Sequence, residues 1–311
     1  MIKTGYSRGD KKGKNNGKSR MKKKKAIFIY LIPFFFIFAH TNFGLSSADR
    51  QKNDQTELEK ILQKCADYCE KLTNSVLFFV CKETIKEEIY HSAPSAPVTV
   101  RTVTSSGSYV VRSGGGVEKN TYVYDYQLIR KENKIKESRI LLKENGKKKN
   151  EKNAPLKTKI FEHKNVIMGP IGLLSEYWQQ YHDYKIVKEE KFKGDKVTVI
   201  EAVPKYGLKL NQLFGKIWVR KSDFSILKIE WNQQAIENYE KIEEIAKKLG
   251  AEPLITLVSE YAFEKKGIRF PSKYSIQEVY IIRRGRRFLR SEKTVTYEDY
   301  KFFTVETEVI Y

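Results

Sequence analysis

Histidine, cysteine and paired carboxylates are the residues of this 311-residue chain best suited to chemistry, and their spacing argues against catalysis. The four histidines are His40, His91, His163 and His182. None stands in H-E-x-x-H or another metal-ligand spacing, and no G-x-S-x-G elbow or Cys–His pairing is signalled. A zinc site at Cys65, Cys69 and Cys81 would need a fourth ligand, for which only His91 is near, so no metal is expected. Gly114-Gly115-Gly116 lacks both G-x-G-x-x-G and a following Lys-Ser/Thr, so it is no phosphate loop. Pairs such as Glu201 with Glu230 fall on alternating strands and read as solvated faces. His163 and His182 read as surface residues. The expectation is a non-enzymatic protein with no cofactor.

Charge and hydropathy point to export. The chain holds 59 basic and 38 acidic residues, a net of +21 that would fit a nucleic-acid binder. Residues 1–48 carry 11 of the basic residues and one acid, which leaves +11 beyond them. Within that segment Ala26–Ala39 is uncharged over 14 residues. That is short of the roughly 20 apolar residues a spanning helix needs, and the run contains Pro33. Ser46-Ser47-Ala48 follows. Basic, apolar and small-residue regions in that order make a secretory signal peptide cut after Ala48, an uncleaved anchor being the alternative. Residues 1–20 read as a start-site extension ahead of Met21. A periplasmic location follows, with no nucleic-acid partner, and the residual charge is suited to an anionic membrane surface.

Cys65 and Cys69 lie four apart on an expected helix, about 5–6 Å between Cβ atoms. A disulfide needs about 3.5–4.5 Å, so a bridge in the oxidising compartment would join Cys81 to one of the two. It would be worth roughly 3 kcal/mol.

The elements that must position any site are one helix, a sheet and two helical interruptions. Leu58, Ile61, Leu62, Cys65, Cys69 and Leu72 recur at helical spacing, which predicts a helix over 55–73. Val76–Tyr90 reads as a strand. Residues 92–120 read as a flexible loop. Residues 122–131 and 134–144 form a hairpin, and Asn145-Gly146 is a second turn. Gly169–Gly172 opens a short helix holding Leu173, Leu174, Tyr177, Trp178 and Tyr181. Strands are expected over 184–192, 196–204, 215–221, 225–232, 254–265, 272–283, 287–297 and 302–311. A helical insertion at 234–250 interrupts them, closed by Gly250 and Pro253. One domain over 49–311 follows, of the α+β class: a strongly curved antiparallel half-barrel of about ten strands, wrapped around or covered by about three helices.

Two surfaces stand out. Arg283, Arg284, Arg286, Arg287 and Arg290 cluster at one hairpin and could meet anionic headgroups or a partner. Leu174, Trp178, Trp218, Trp231, Leu257, Tyr261 and Phe263 could line an apolar ligand cavity.

The run from Gly215 to Glu230, beginning Gly215-Lys216-Ile217-Trp218-Val219-Arg220, resembles the strand–turn–strand unit of LolA/LolB-type lipoprotein carriers. Gly267-Ile268-Arg269-Phe270-Pro271 resembles the turn of their later strands. Tyr68-Cys69 with Phe79-Val80-Cys81-Lys82-Glu83 and Tyr124-Asp125-Tyr126-Gln127-Leu128 resembles uncharacterised exported bacterial proteins of that kind. The resemblance spans 55–311 in topology. It implies a Cys69–Cys81 disulfide and the binding of a lipid or lipoprotein acyl chain in a half-barrel lidded by helices. The chain departs from a carrier in its 92–120 loop, its extra helix and its length. Two alternatives are an envelope interaction or sensor module of the same fold, and an outer-membrane β-barrel ending on the alternating strand 302–311. Arg290, Glu292 and Glu298 interrupt the apolar band that such a barrel requires.

Overall fold

The structure, a computed structural model, describes residues 47–75, 78–91, 98–103, 109–113, 116–131, 134–164, 166–205, 213–237, 239–282 and 285–303. Most of the signal peptide expected over 1–48 (residues 1–46), Arg283, Arg284 and the terminal run 304–311 lie outside the described residues.

Helix α1 (Ser47–Ser75) leads into strand β1 (Phe78–Tyr90). Strands β2 (Val98–Val103), β3 (Tyr109–Ser113), β4 (Val117–Lys131), β5 (Lys134–Glu144) and β6 (Lys147–Glu151) follow. After an irregular segment come two single-turn helices, α2 (Ile171–Leu174) and α3 (Glu176–Gln179). Next are β7 (His182–Phe192), β8 (Asp195–Pro204), β9 (Gly215–Arg220), β10 (Ile226–Trp231) and helix α4 (Tyr239–Lys248). The chain continues through β11 (Glu252–Glu260), β12 (Phe263–Lys265), β13 (Ile268–Phe270), β14 (Lys273–Ile282) and β15 (Arg286–Phe302).

Eleven strands form one antiparallel path in the order β6-β5-β4-β1-β15-β14-β11-β10-β9-β8-β7. Its ends, β6 and β7, do not pair with each other among the described residues, so the sheet is an open half-barrel rather than a closed barrel. The sheet is held in register by tight turns. At Asn145-Gly146 both residues have positive φ (48° and 80°), the conformation whose twist matches a hairpin and which only Asn, Asp or Gly adopts cheaply. Lys193-Gly194 and Lys266-Gly267 repeat the geometry with a lysine in the less favoured first place.

One face of the sheet buries the core. Leu58, Ile61, Cys65, Tyr68, Cys69 and Leu72 of α1 pack there against Phe79, Ile85, Tyr124, Ile217, Ile229 and Leu257. Strand alternation explains the outer face: Val197, Val199, Trp218 and Leu227 form a separate small cluster there.

Several expectations are corrected. The segment 92–120 is not all loop, because β2 and β3 pair with each other, β3 touches β15, and β4 begins at Val117. The strand expected over 254–265 stops at Glu260, and residues 263–265 pair instead with β13 in a two-stranded sheet. The strands expected at 287–297 and 302–311 are continuous through Phe302, with a bulge at Asp299 (φ 57°) where the register against β1 shifts. The Cys69–Cys81 disulfide is not present. All three thiols are free and buried, Cys69 Sγ facing the Pro170 carbonyl at 3.5 Å and Cys81 hydrogen-bonding Tyr300.

Candidate functional site

Strand β1 places Glu83 and Glu87 on the same face as Ile85, pointing at the core. Arg139 reaches from β5 and Lys293 from β15. Over them lies the irregular segment 152–164, a strap that brings in His163. These side chains are buried: Glu83 is 0% exposed, His163 1% and Lys293 1%.

The strap is fastened by paired polar groups, as burial requires. Glu87 accepts from the Thr158 hydroxyl (2.7 Å), the Lys159 N–H (3.0 Å) and the Ile160 N–H (3.1 Å). Lys293 donates to the carbonyls of Ile160 (3.4 Å) and Phe161. Phe161 has φ 36°, a left-handed conformation uncommon for an aromatic residue, and its carbonyl is held by this ammonium.

Between these anchors runs a chain of hydrogen bonds. Arg139 grips Glu83 through two donors, Nε at 2.7 Å and an Nη at 3.1 Å. His163 Nδ1 accepts from Lys293 (3.3 Å), which places its proton on Nε2, donating to Glu83 (3.0 Å). Burial alone would raise the Glu83 carboxyl, but the His163 hydrogen bond and the Arg139 charge outweigh it and hold the group at about 2. Burial and the neighbouring Lys293 push His163 down to about 4, so the imidazole is neutral at pH 7. Burial pushes Lys293 down to about 7 against the pull of Glu87 and Glu83. Each group's hydrogen-bonding capacity is spent on a neighbour. The arrangement holds backbone in place.

Beyond the strap the same inner face opens into an apolar cavity of about 310 Å³. Val166, Met168 and Gly169 form one wall, and Ile171 and Trp178 continue it from α2 and α3. Trp231 of β10, Ser259 of β11 and Tyr274 of β14 form the floor, and His163 closes the end nearest the strap. Trp231 donates to the Ser259 hydroxyl (2.9 Å), Ser259 hydrogen-bonds Tyr261, and Tyr261 donates to the Val166 carbonyl (3.1 Å). Gly169 is required at this closure: a Cβ there would lie 2.8 Å from the Tyr261 oxygen and 2.9 Å from the Trp231 ring. A second cleft of about 470 Å³ lies between α1, strands β8 and β9 and the turn that follows β9. On its charged rim Lys221 pairs with Glu57 and Glu189, and Arg220 with Asp223.

Of the residues the sequence singles out, Trp178 and Trp231 line the apolar cavity, and Tyr261 supports its wall. Leu174 and Leu257 are fully buried core residues. Trp218 and Phe263 do not reach the cavity. Alternation puts Trp218 on the outer face, under the Lys228 ammonium (3.9 Å) and donating to Glu190 (2.5 Å). Phe263 leaves the main sheet with β12 and stacks on Tyr300 at 4.7 Å. Arg286 is exposed and Arg287 half-buried, while Arg290 donates to the Tyr90 carbonyl (2.8 Å). His163 and His182 are not surface residues: His163 joins the buried chain, and the His182 ring nitrogens face the Trp178 and Leu213 carbonyls at 2.9 Å each. Among the described residues no group of His, Cys, Asp and Glu has the spacing of a metal site. Glu83, Glu87, Arg139, Lys293 and Tyr274 escape a sequence search. Their one signal is ionisable residues in phase with Ile85 and Val295.

No protein-family model matches the sequence, and no curated protein matches it. Among solved structures, the chain is similar to an outer membrane lipoprotein-sorting protein domain from Vibrio parahaemolyticus, with 11% identity, 80% of this chain and 95% of that one covered, and a TM-score of 0.33. It is similar to a DUF1329 family protein from Desulfovibrio piger, with 10% identity, coverage of 79% and 95%, and a TM-score of 0.32. A LolA superfamily protein from Nitrosomonas europaea matches with 11% identity, coverage of 79% and 94%, and a TM-score of 0.31. Similarity this low transfers no ligand, partner or activity to the chain. It places the LolA superfamily among the structures this chain is similar to.

Proposed function

We propose that this chain is an exported, non-enzymatic protein that binds an apolar ligand, a lipid or acyl chain, on the inner face of its half-barrel. The observation that carries the reading is the cavity of about 310 Å³ between the strap, α2–α3 and the sheet, lined by Trp178, Trp231, Met168 and Ile171. Its size is at the lower end of small-molecule sites, about 300–1,000 Å³, and its lining of aromatic and aliphatic groups with few polar atoms is what such sites share. The non-enzymatic part is supported by the saturation of Glu83, His163 and Lys293 with one another and with the strap, which leaves them no proton to trade with a substrate. Export is supported by the signal-like order of residues 1–48. The periplasm of a bacterium is then the place of action, with an anionic membrane surface as a partner for the net +11.

The test is direct. Residues 49–311, purified without detergent, are examined by native mass spectrometry and by titration with a fluorescent fatty-acid probe. Co-purifying lipid, or saturable probe binding lost on bulking the cavity, supports the reading. A lipid-free protein that ignores the probe refutes it.

A further inference from the structure

Tyr274 stands on the cavity floor, at the end closed by His163. It is 2% exposed, its ring stacks on the His163 ring at 5.4 Å, and its hydroxyl has no hydrogen-bond partner among the described residues. Among the described residues two other buried side-chain atoms share that condition, on Asp125 and Glu237, and neither residue lines the cavity. A buried hydroxyl without a partner is costly, so a native fold that keeps one calls for an explanation.

The neighbours decide what could complete it. Lys293 spends its donors on Ile160, Phe161 and His163, and His163 spends both nitrogens on Lys293 and Glu83. Lys164, at the rim, pairs with Glu162 at 3.6 Å. The cations near this end are therefore committed. A carboxylate entering here would be a buried charge without a counter-charge, which is costly. Burial raises the Tyr274 phenol, so it stays a neutral O–H at physiological pH.

We propose that the Tyr274 hydroxyl is the specificity-determining donor of the apolar cavity, and that the ligand class is an acyl ester or amide, seated with its uncharged carbonyl oxygen on Tyr274. This rests on the apolar-ligand reading and narrows it from any lipid to a neutral carbonyl-bearing chain. Size sets the chain length. A water occupies about 30 Å³ and a methylene about as much, so the cavity of about 310 Å³ takes a single chain of roughly ten carbons.

The experiment measures competition by methyl decanoate, decanoate and decane against a fluorescent fatty probe at pH 7, for the wild-type protein and for Tyr274→Phe. One neutral hydrogen bond is worth about 0.5–1.5 kcal/mol, or about 2- to 13-fold in affinity. Tyr274→Phe should weaken methyl decanoate by that factor and leave decane within about twofold, because only the ester uses the hydroxyl. Decanoate should bind the wild-type protein more weakly than its methyl ester. The variant's melting temperature should equal or exceed the wild-type value, because the lost oxygen has no protein partner. Equal weakening of ester and alkane, no weakening of either, or decanoate binding as tightly as the ester overturns the assignment while leaving an apolar site in place. If all three bind without displacing the probe, or none binds, the cavity reading falls and the assignment with it.

Discussion

Glu87 is the fastener of the strap, and its removal can be worked out group by group. In Glu87→Ala the Ile160 N–H, now 3.1 Å from the carboxylate, loses its acceptor in a buried place. That costs about 1–3 kcal/mol. The Lys159 N–H, at 3.0 Å, is only part-buried and can turn to water, for about 1 kcal/mol. Thr158 loses little, because its hydroxyl also faces the Ile160 carbonyl at 2.5 Å. Lys293, paired across the strands with Glu87, loses one of the charges that offset its burial. The sum is about 3 kcal/mol. Glu87→Gln keeps an oxygen for both N–H groups and loses only the charge assistance, about 1 kcal/mol. Urea unfolding at pH 7 measures both, and amide hydrogen exchange reads Ile160 directly. An alanine variant within 1 kcal/mol of wild type, or unchanged protection at Ile160, would refute the claim that this carboxylate holds the strap.

Three further outcomes follow from the same geometry. His163 titrates at about 4 in the fold against 6.5 when free, so between those values the unfolded chain binds more protons. The His163 contribution is therefore full above pH 6.5 and falls by about 3 kcal/mol as the pH drops to 4; Lys293, lowered from 10.5 to about 7, adds a loss of its own as the pH falls from 10.5 to 7, and Glu83, held at about 2, extends the loss below 4.5; a flat profile of urea midpoints would contradict this. All three thiols should resist a thiol reagent in the native state, burial pushing Cys65 up to about 12, and all three should react after unfolding; a single reactive thiol would reveal a disulfide. Gly169→Ala should cost about 1–3 kcal/mol by forcing Trp231 and Tyr261 aside and should weaken probe binding, whereas Trp218→Phe on the outer face should leave binding unchanged.

The sheet was legible because its signals are local. Asn145-Gly146, Lys193-Gly194 and Lys266-Gly267 mark turns by residue type alone. The α1 stripe is likewise local, and its burial follows the spacing of Leu58, Ile61, Cys65 and Leu72. What failed depends on partners distant in sequence. Lys293 interrupts an apolar alternation and reads as solvent-facing, yet it is buried because carbonyls 132–133 residues earlier in the chain receive it. His163 sits in a loop-like run, and nothing local shows that a strap folds back over β1. Trp218 and Trp231 lie on one strand–turn–strand unit, but Trp218 pairs with Lys228, three residues before Trp231, and alternation over that odd spacing leaves them on opposite faces of the sheet. The Cys69–Cys81 disulfide implied by the resemblance failed for a similar reason: the tertiary fold, not the local sequence, aims a thiol, and here each faces a different group.

The inner face thus carries, beside the α1 core, a strap seated on buried charges and an apolar cavity. A buried ion chain is weak evidence of stability, since well-packed apolar groups of equal volume often do as well or better by about 1–4 kcal/mol. What apolar packing lacks is direction. Hydrogen bonds from Arg139 to Glu83, from His163 to Glu83 and from Lys293 to two carbonyls fix where the strap lies, and the strap runs straight into the Val166–Gly169 wall of the cavity. Replacing Glu83, Arg139, His163 and Lys293 together by Leu, Met, Phe and Met tests this. Global stability should be equal or higher in urea. Hydrogen exchange over residues 158–163 should rise, and ligands of different shape should be bound with less discrimination, because the wall has lost its register. A variant that is stable, equally protected over the strap and equally selective would show that packing alone sets the cavity, and the ion chain would then have no role in shaping it.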